Sequence, residues 1–162
     1  MRRVVVFLLC WLFVHSFLLT GCSTPMSADV LLRNFADAYP LPQGVIFSSM
    51  AREGDAEYAD EVVLKRLYGE AELPFYHSFC IYLYSDMDTV RECGIFIVRK
   101  GLGATDDIVK TQDLIFERIH LVELAFPSAN SRVMRFGNTI AYVILPDTER
   151  AQRLLRSLAR SA

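Results

Sequence analysis

The feature that most constrains this chain is an apolar segment at its N-terminus. Arg2 and Arg3 come first, and the following residues from Val4 to Gly21 carry no charge. A short cationic start before an uncharged apolar run is typical of a secretory signal peptide. The run also reaches the lower limit of length for a membrane-spanning helix. The segment therefore predicts export or membrane insertion, and the residues after it decide between the two.

Those residues favour cleavage and lipidation. Leu19-Thr20-Gly21-Cys22 resembles the lipobox of bacterial lipoproteins, which is an aliphatic residue, a small residue, Gly or Ala, and then Cys. In such proteins the Cys thiol receives a diacylglycerol, and the peptide is cut just before it. The resemblance implies a signal peptide over residues 1–21 and a membrane anchor at Cys22, where two acyl chains suffice for stable attachment. The alternative is an uncleaved anchor with a chance cysteine.

Cleavage before Cys22 would leave 141 of the 162 residues. That length suits one domain. The mature chain would carry 15 basic and 19 acidic side chains, a net charge of −4. Both this charge and an extracytoplasmic location disfavour a nucleic-acid partner. We expect a tether over residues 22–29 and a single domain over residues 30–162.

The order of predicted elements indicates an α+β fold. Apolar residues at helical spacing predict two N-terminal helices, near 28–39 and 58–68. After them come strand, strand, helix, strand, strand and helix, predicted over 76–84, 92–99, 105–124, 132–136, 139–145 and from 148 onward. This order predicts an antiparallel sheet of about four strands with helices on one face. The short apolar run 44–49 is either a further strand or an extended connector.

Several of these segments resemble a family of small bacterial lipoproteins. The residues concerned are YADEVVLKRLYG from Tyr58, the segment Phe79–Tyr84 followed by ECGIFIVRK from Glu92, the Glu117-Arg118 pair within the long helix, and GNTIAYVIL from Gly137. The family carries a domain of unknown function, numbered 4358. The resemblance covers about Tyr58 to Leu158 and implies location and fold, but no catalytic residues.

Two cysteines of the mature domain, Cys80 and Cys93, lie on the two strands of the predicted hairpin. A hairpin centred on Asp86-Met87 would place them opposite each other, where a disulfide could form. A hairpin centred two residues further on would not. Two buried free thiols or a redox pair would also fit the sequence, although the spacing is not that of a CxxC motif.

Few residues have the spacing of a metal or catalytic site. His77 and His120 do not make a metal spacing with each other, and zinc would need three or four ligands, so ordinary surface or partly buried histidines are the favoured interpretation. Asp86 and Asp88 fit a turn better than a calcium loop. Other residues without supporting motifs are Gly101 and Gly103, Ser48 and Ser49, and Glu117 and Glu123. We expect no metal and no cofactor.

Positive charge is concentrated near the C-terminus. Residues 132–162 contain six arginines and only two carboxylates, whereas the mature chain before them has a net charge of −8. Four of these arginines belong to the last predicted helix: Arg150, Arg153, Arg156 and Arg160. The simpler interpretation is a hydrated helix face. The alternative is contact with anionic lipid headgroups or an anionic cell-wall polymer close to the anchor.

The sequence thus predicts an extracytoplasmic lipoprotein that is lipid-anchored to the cell membrane. If the cell has two membranes, Ser23 after the lipidated cysteine permits sorting to the outer membrane. We expect a non-enzymatic module that binds an envelope protein, a polymer or a small ligand. The alternative is an envelope thiol-redox or hydrolytic enzyme that uses Cys80, Cys93 or His77.

Overall fold

The computed structural model describes residues 26–70 and 76–161. The predicted signal peptide and Cys22 lie outside these residues. Four helices and five strands follow one another in the order α1, β1, α2, β2, β3, α3, β4, β5, α4. The helices are α1 (Ala28–Ala38), α2 (Glu61–Tyr68), α3 (Ala104–Ala125) and α4 (Thr148–Arg160). The strands are β1 (Val45–Ser48), β2 (Tyr76–Ser85), β3 (Val90–Val98), β4 (Ser131–Phe136) and β5 (Thr139–Ile144).

The strands form one antiparallel sheet in the order β1-β2-β3-β5-β4. The predicted α+β class and the predicted sequence of hairpin, helix, hairpin and helix are confirmed. The sheet has five strands because the run at 44–49 contains β1, which pairs with the outer edge of β2. The first helix begins at Ala28, with Ser27 as its N-cap, two residues before the predicted start of the domain.

Helices cover both faces of the sheet, and the prediction of helices on one face is therefore wrong. On one face, α1 and α4 pack against a core that includes Cys80, Cys93 and Val143. On the other, α2 and α3 pack against a core that includes Phe96 and Ile140. The reason is visible in the central strands, where consecutive residues are buried instead of every second one. A strand covered on both sides needs apolar residues at every position.

The α1/α4 face gives the domain two distinct ends. The Tyr39 hydroxyl, just after α1, donates to the carbonyl of Asp147, just before α4. Met26 and Ala159 meet at the opposite end, where they line the same cleft. The two helices therefore run antiparallel. The end that holds Met26 also holds the start of β2, the end of β3 and the β4–β5 turn, while the β2–β3 turn lies at the far end.

No helix among the described residues is long and apolar enough to cross a membrane.

Candidate functional site

A cleft of about 590 Å³ opens at the Met26 end of the domain. We call it the Met26 cleft, and its rim residues are Met26, His77, Arg99, Lys100, Phe136 and Ala159. Its floor includes Leu31 of α1 and Ile97 of β3. His77, Arg99 and Lys100 are exposed to solvent, and none of the described residues that line the cleft is acidic. The cleft therefore combines an apolar floor with a cationic rim.

A β-bulge aims His77 at this cleft. Tyr76 pairs with Val98 and Ser78 pairs with Ile97, so His77 is the extra residue in the register. The Ser78 hydroxyl accepts a hydrogen bond from the backbone N–H of Ala28, which places Ser78 on the α1 side of the sheet. Regular alternation would send His77 to the opposite side. The bulge instead lets both side chains lie on the α1 side, as bulges often do where a side chain must be redirected.

Hydrogen bonds from side chains to backbone carbonyls hold Arg99 and the turn beside the rim. Arg99 donates from Nε to the carbonyl oxygen of Tyr76 at 3.1 Å. Asn138, in the turn after β4, donates its side-chain amide to the carbonyl of Val98 at 2.7 Å. The rim is therefore built on three adjoining strand ends.

All four arginines of α4 are exposed, and two of them have partners among the described residues. The guanidinium of Arg150 lies 5.5 Å from the centre of the Tyr39 ring, and that of Arg153 lies 3.7 Å from the Glu149 carboxylate. Both lie in the first half of α4, and neither lines the Met26 cleft. Arg156 and Arg160 lie in the second half, on either side of Ala159 in the sequence, and are exposed. Among the described residues, neither of these two forms an ion pair.

Cys80 and Cys93 are free and buried, so the two thiols do not form a disulfide. The hairpin register explains this. Cys93 lies opposite Tyr82, and Cys80 lies opposite Ile95, so the cysteines are diagonal neighbours on one face. Diagonal pairs have Cα atoms about 7–8 Å apart, which exceeds the range of a disulfide. The hairpin is centred further along the chain than a directly opposed pair requires.

The environment of both thiols suppresses their reactivity. Burial raises the pKa of Cys93 well above its usual range, and burial together with the Asp29 carboxylate does the same for Cys80. The Cys80 thiol lies 3.5 Å from an Asp29 oxygen. Since the thiolate is the reactive form, neither cysteine has the character of a nucleophile or redox centre.

We therefore expect no reaction of Cys80 or Cys93 with an aromatic disulfide reagent in the native protein, because both thiols are protonated and inaccessible. Two thiols per mature chain should react after unfolding in denaturant, without added reductant. A single thiol reacting in the native state would reveal an unmodified Cys22. Rapid native reaction of two thiols would contradict the buried positions.

The remaining predicted residues fall into structural roles. Asp86 accepts hydrogen bonds from the backbone N–H groups of Asp88 and Thr89 at 3.0 and 2.7 Å, which confirms the turn interpretation. Ser49 exchanges hydrogen bonds with the backbone of Phe79. Glu123 accepts from Ser131 at 2.6 Å. Gly101 and Gly103 adopt positive φ in the loop before α3.

His120 and His77 are not brought together. His120 is exposed on α3, on the opposite side of the sheet from His77. Within residues 26–70 and 76–161, no group of three or more His, Cys, Asp or Glu side chains is placed to hold a metal ion.

Sequence reasoning missed a second polar cluster, next to β1. The buried Ser48 donates from its hydroxyl to an Asp29 oxygen at 2.7 Å and accepts from the backbone N–H of Met50. Arg33 bonds to Glu57 at 2.5 Å and lies 3.8 Å from Asp29. An open cleft of about 340 Å³ adjoins the group. These contacts tie α1 to β1 and the loop after it.

The most deeply buried polar group was also missed. Glu92 of β3 is fully buried and accepts two hydrogen bonds from Arg118 of α3, at 3.0 Å from Nε and 2.7 Å from Nη2. The Tyr142 hydroxyl donates to the same carboxylate. Tyr142 is in turn 2.8 Å from the hydroxyl of Tyr68. Because Tyr142 gives its only proton to Glu92, Tyr68 must donate to Tyr142.

The surroundings of this network indicate a structural role. Burial and the nearby Glu92 carboxylate raise the pKa values of Tyr68 and Tyr142 well above their usual range, so both phenols remain donors. Burial alone would lower the pKa of Arg118, but its bonds to Glu92 outweigh that and raise it. All four side chains have partners, and the network joins α2 and α3 to the sheet.

Comparison of the chain with protein-family models, with curated proteins and with solved structures finds no match. The resemblance to a lipoprotein family therefore stays a prediction from the sequence.

Proposed function

We propose that this protein is a lipid-anchored lipoprotein of the cell envelope whose folded domain is a non-enzymatic interaction module. The observation that carries the proposal is the place of Leu19-Thr20-Gly21-Cys22 in the chain. Cys22 comes only four residues before Met26, where the described domain starts. A cysteine lipidated there would keep the domain at the membrane surface.

The side chains of the domain support an interaction role over catalysis. The thiols are buried, His77 and His120 lie apart, and the carboxylate of Glu92 is fully occupied by its partners. By contrast, α3 exposes Val109, Phe116 and Leu124 at spacings of seven and eight residues, with 50–67% of each side chain accessible. Exposed large apolar side chains on one helix side are more typical of a contact surface than of an active site.

A thiol-redox or hydrolytic enzyme is the alternative. It would need a reactive thiolate at Cys80 or Cys93, or a nucleophile within reach of His77. The raised pKa values of both thiols favour the interaction module.

Replacement of the lipobox cysteine tests the proposal. We expect Cys22→Ala to abolish incorporation of labelled fatty acid and to leave the signal segment uncleaved, because the acceptor thiol is lost. The matched control is Cys10→Ala, which removes the other cysteine of the N-terminal segment and should be labelled and cleaved normally. Lipid incorporation and N-terminal mass report both results. Unchanged labelling of the Cys22→Ala variant would refute the anchor.

A further inference from the structure

We propose that the Met26 cleft binds the headgroup of an anionic phospholipid in the membrane that holds the anchor. The inference rests on the proposed function, since it takes Cys22 as the attachment point. It adds a second contact between the domain and the membrane, and it fixes which end of the domain faces the lipid.

Chain length brings the cleft to the membrane surface. Four residues separate Cys22 from Met26, and a fully extended segment of that length spans at most about 14 Å. Met26 itself lies on the rim of the cleft. The lipidated cysteine would therefore hold the mouth of the cleft within reach of the lipid headgroups.

The charges at this end fit an anionic ligand. Arg99 and Lys100 lie side by side on the rim, and the bulge brings His77 to the same opening. The hydrogen bond that positions Arg99 uses its Nε and the Tyr76 carbonyl. Exposed Arg156 and Arg160 extend the positive surface along α4. Carboxylates Asp106 and Asp107 begin α3 at this end, but α3 covers the opposite face of the sheet.

The apolar floor favours a lipid over a free anion. Leu31 and Ile97 form part of it, and Phe136 lies at its edge. A phospholipid fits both the cationic rim and the apolar floor. Its phosphate can face Arg99 and Lys100 while its glycerol and first methylene groups lie against apolar side chains. An arginine and a lysine near an anionic surface each increase binding several-fold.

The arginines of α4 lie at different distances along the helix from the rim residue Ala159. Arg156 and Arg160 lie in the half of α4 that contains the rim residue Ala159, whereas Arg150 and Arg153 lie in the first half, near Tyr39 and Glu149. This division supplies a control pair of equal charge.

Photocrosslinking of the full chain tests the proposal. The protein is reconstituted into phosphatidylcholine vesicles that contain phosphatidylglycerol with a photoreactive headgroup, and mass spectrometry locates the adducts. We expect adducts on the segments that contain Ile97–Lys100 and Phe136–Thr139. The double variant Arg99→Gln, Lys100→Gln should lower the yield about 25-fold. The double variant Arg150→Gln, Arg153→Gln, with the same charge change, should retain it.

Further measurements on the same samples test the cleft site and the lipid anchor independently. Equal labelling by phosphatidylcholine with the same photoreactive headgroup, or equal yields from both double variants, would overturn the cleft site. The mass of the N-terminal peptide from the same sample shows whether Cys22 carries lipid. Selective labelling of the cleft without lipid on Cys22 would support the cleft site and overturn the anchor. Lipid on Cys22 without selective labelling of the cleft would support the anchor and overturn the cleft site.

Discussion

Replacement of Arg118 by methionine is expected to lower the free energy of unfolding by about 3–5 kcal/mol, the usual cost of removing one partner of a buried ion pair. Glu92 is fully buried, and its side chain accepts two of its three hydrogen bonds from Arg118. Without the guanidinium, a charged carboxylate would remain in the core with only the Tyr142 hydroxyl as a partner. Urea-induced unfolding followed by circular dichroism measures the loss.

A second substitution shows whether the loss comes from the unpaired charge. Combining Arg118→Met with Glu92→Gln removes the charge while leaving an oxygen to accept from Tyr142. We expect the double variant to recover more than half of the stability lost in the single variant. The exposed Arg153→Met variant is the control and should change stability little, because its ion pair with Glu149 is more than 70% exposed on both sides. A small effect of Arg118→Met, equal to that of the control, would refute this account.

The hydroxyl groups of Tyr68 and Tyr142 also stabilise the buried network, because both donate hydrogen bonds within it. Because burial raises the pKa values of Tyr68 and Tyr142 well above their usual range, both phenols keep their protons and act as donors at neutral pH. Tyr142→Phe should therefore also destabilise the domain, but by about 1–3 kcal/mol, since it leaves the carboxylate its bonds to Arg118.

The α+β order could be predicted from the sequence because its signals are local. Apolar spacing identified the long helix, and aromatic and β-branched residues identified the hairpin. The unbroken apolar run Phe79–Tyr82 also indicated a strand that is buried on both faces. The order of strands and helices alone did not require helices on both sides of the sheet. The extra strand β1 is short, and four residues do not distinguish a strand from an extended connector.

The side-chain clusters could not be predicted because their members are distant in the chain. Glu92 and Arg118 are 26 residues apart, and Tyr142 is 50 residues from Glu92. The only sequence signal was a carboxylate at the start of an apolar strand. The Met26 cleft depends on a one-residue bulge at His77, and a shift of that size reverses the face to which a side chain points. The sequence left the pairing of Cys80 and Cys93 open because it did not fix the centre of the β2–β3 hairpin.

Gly94 is another residue whose importance follows only from the packing. It lies on β3 opposite Tyr142 of β5, on the same face as Glu92. A Cβ atom added to Gly94 would lie 2.1 Å from Cε1 of the Tyr142 ring and 2.8 Å from its Cζ. Such separations are far below van der Waals contact, so the ring would have to move. Its hydroxyl is held between Glu92 and Tyr68, and its ring lies beside Phe96.

Gly94→Ala is therefore expected to lower the free energy of unfolding by about 3 kcal/mol or more, the upper end of the range for overpacking. Gly54→Ala is the matched control: its backbone has φ of 94°, but no atom lies within 4 Å of the added Cβ. It should cost about 1–2 kcal/mol through backbone strain alone. The Gly94→Ala variant should also weaken the near-ultraviolet circular dichroism of the tyrosines, because Tyr142 leaves its fixed position. Equal losses in the two variants would show that the Tyr142 ring can move aside at little cost, and that the hydroxyl network does not hold it.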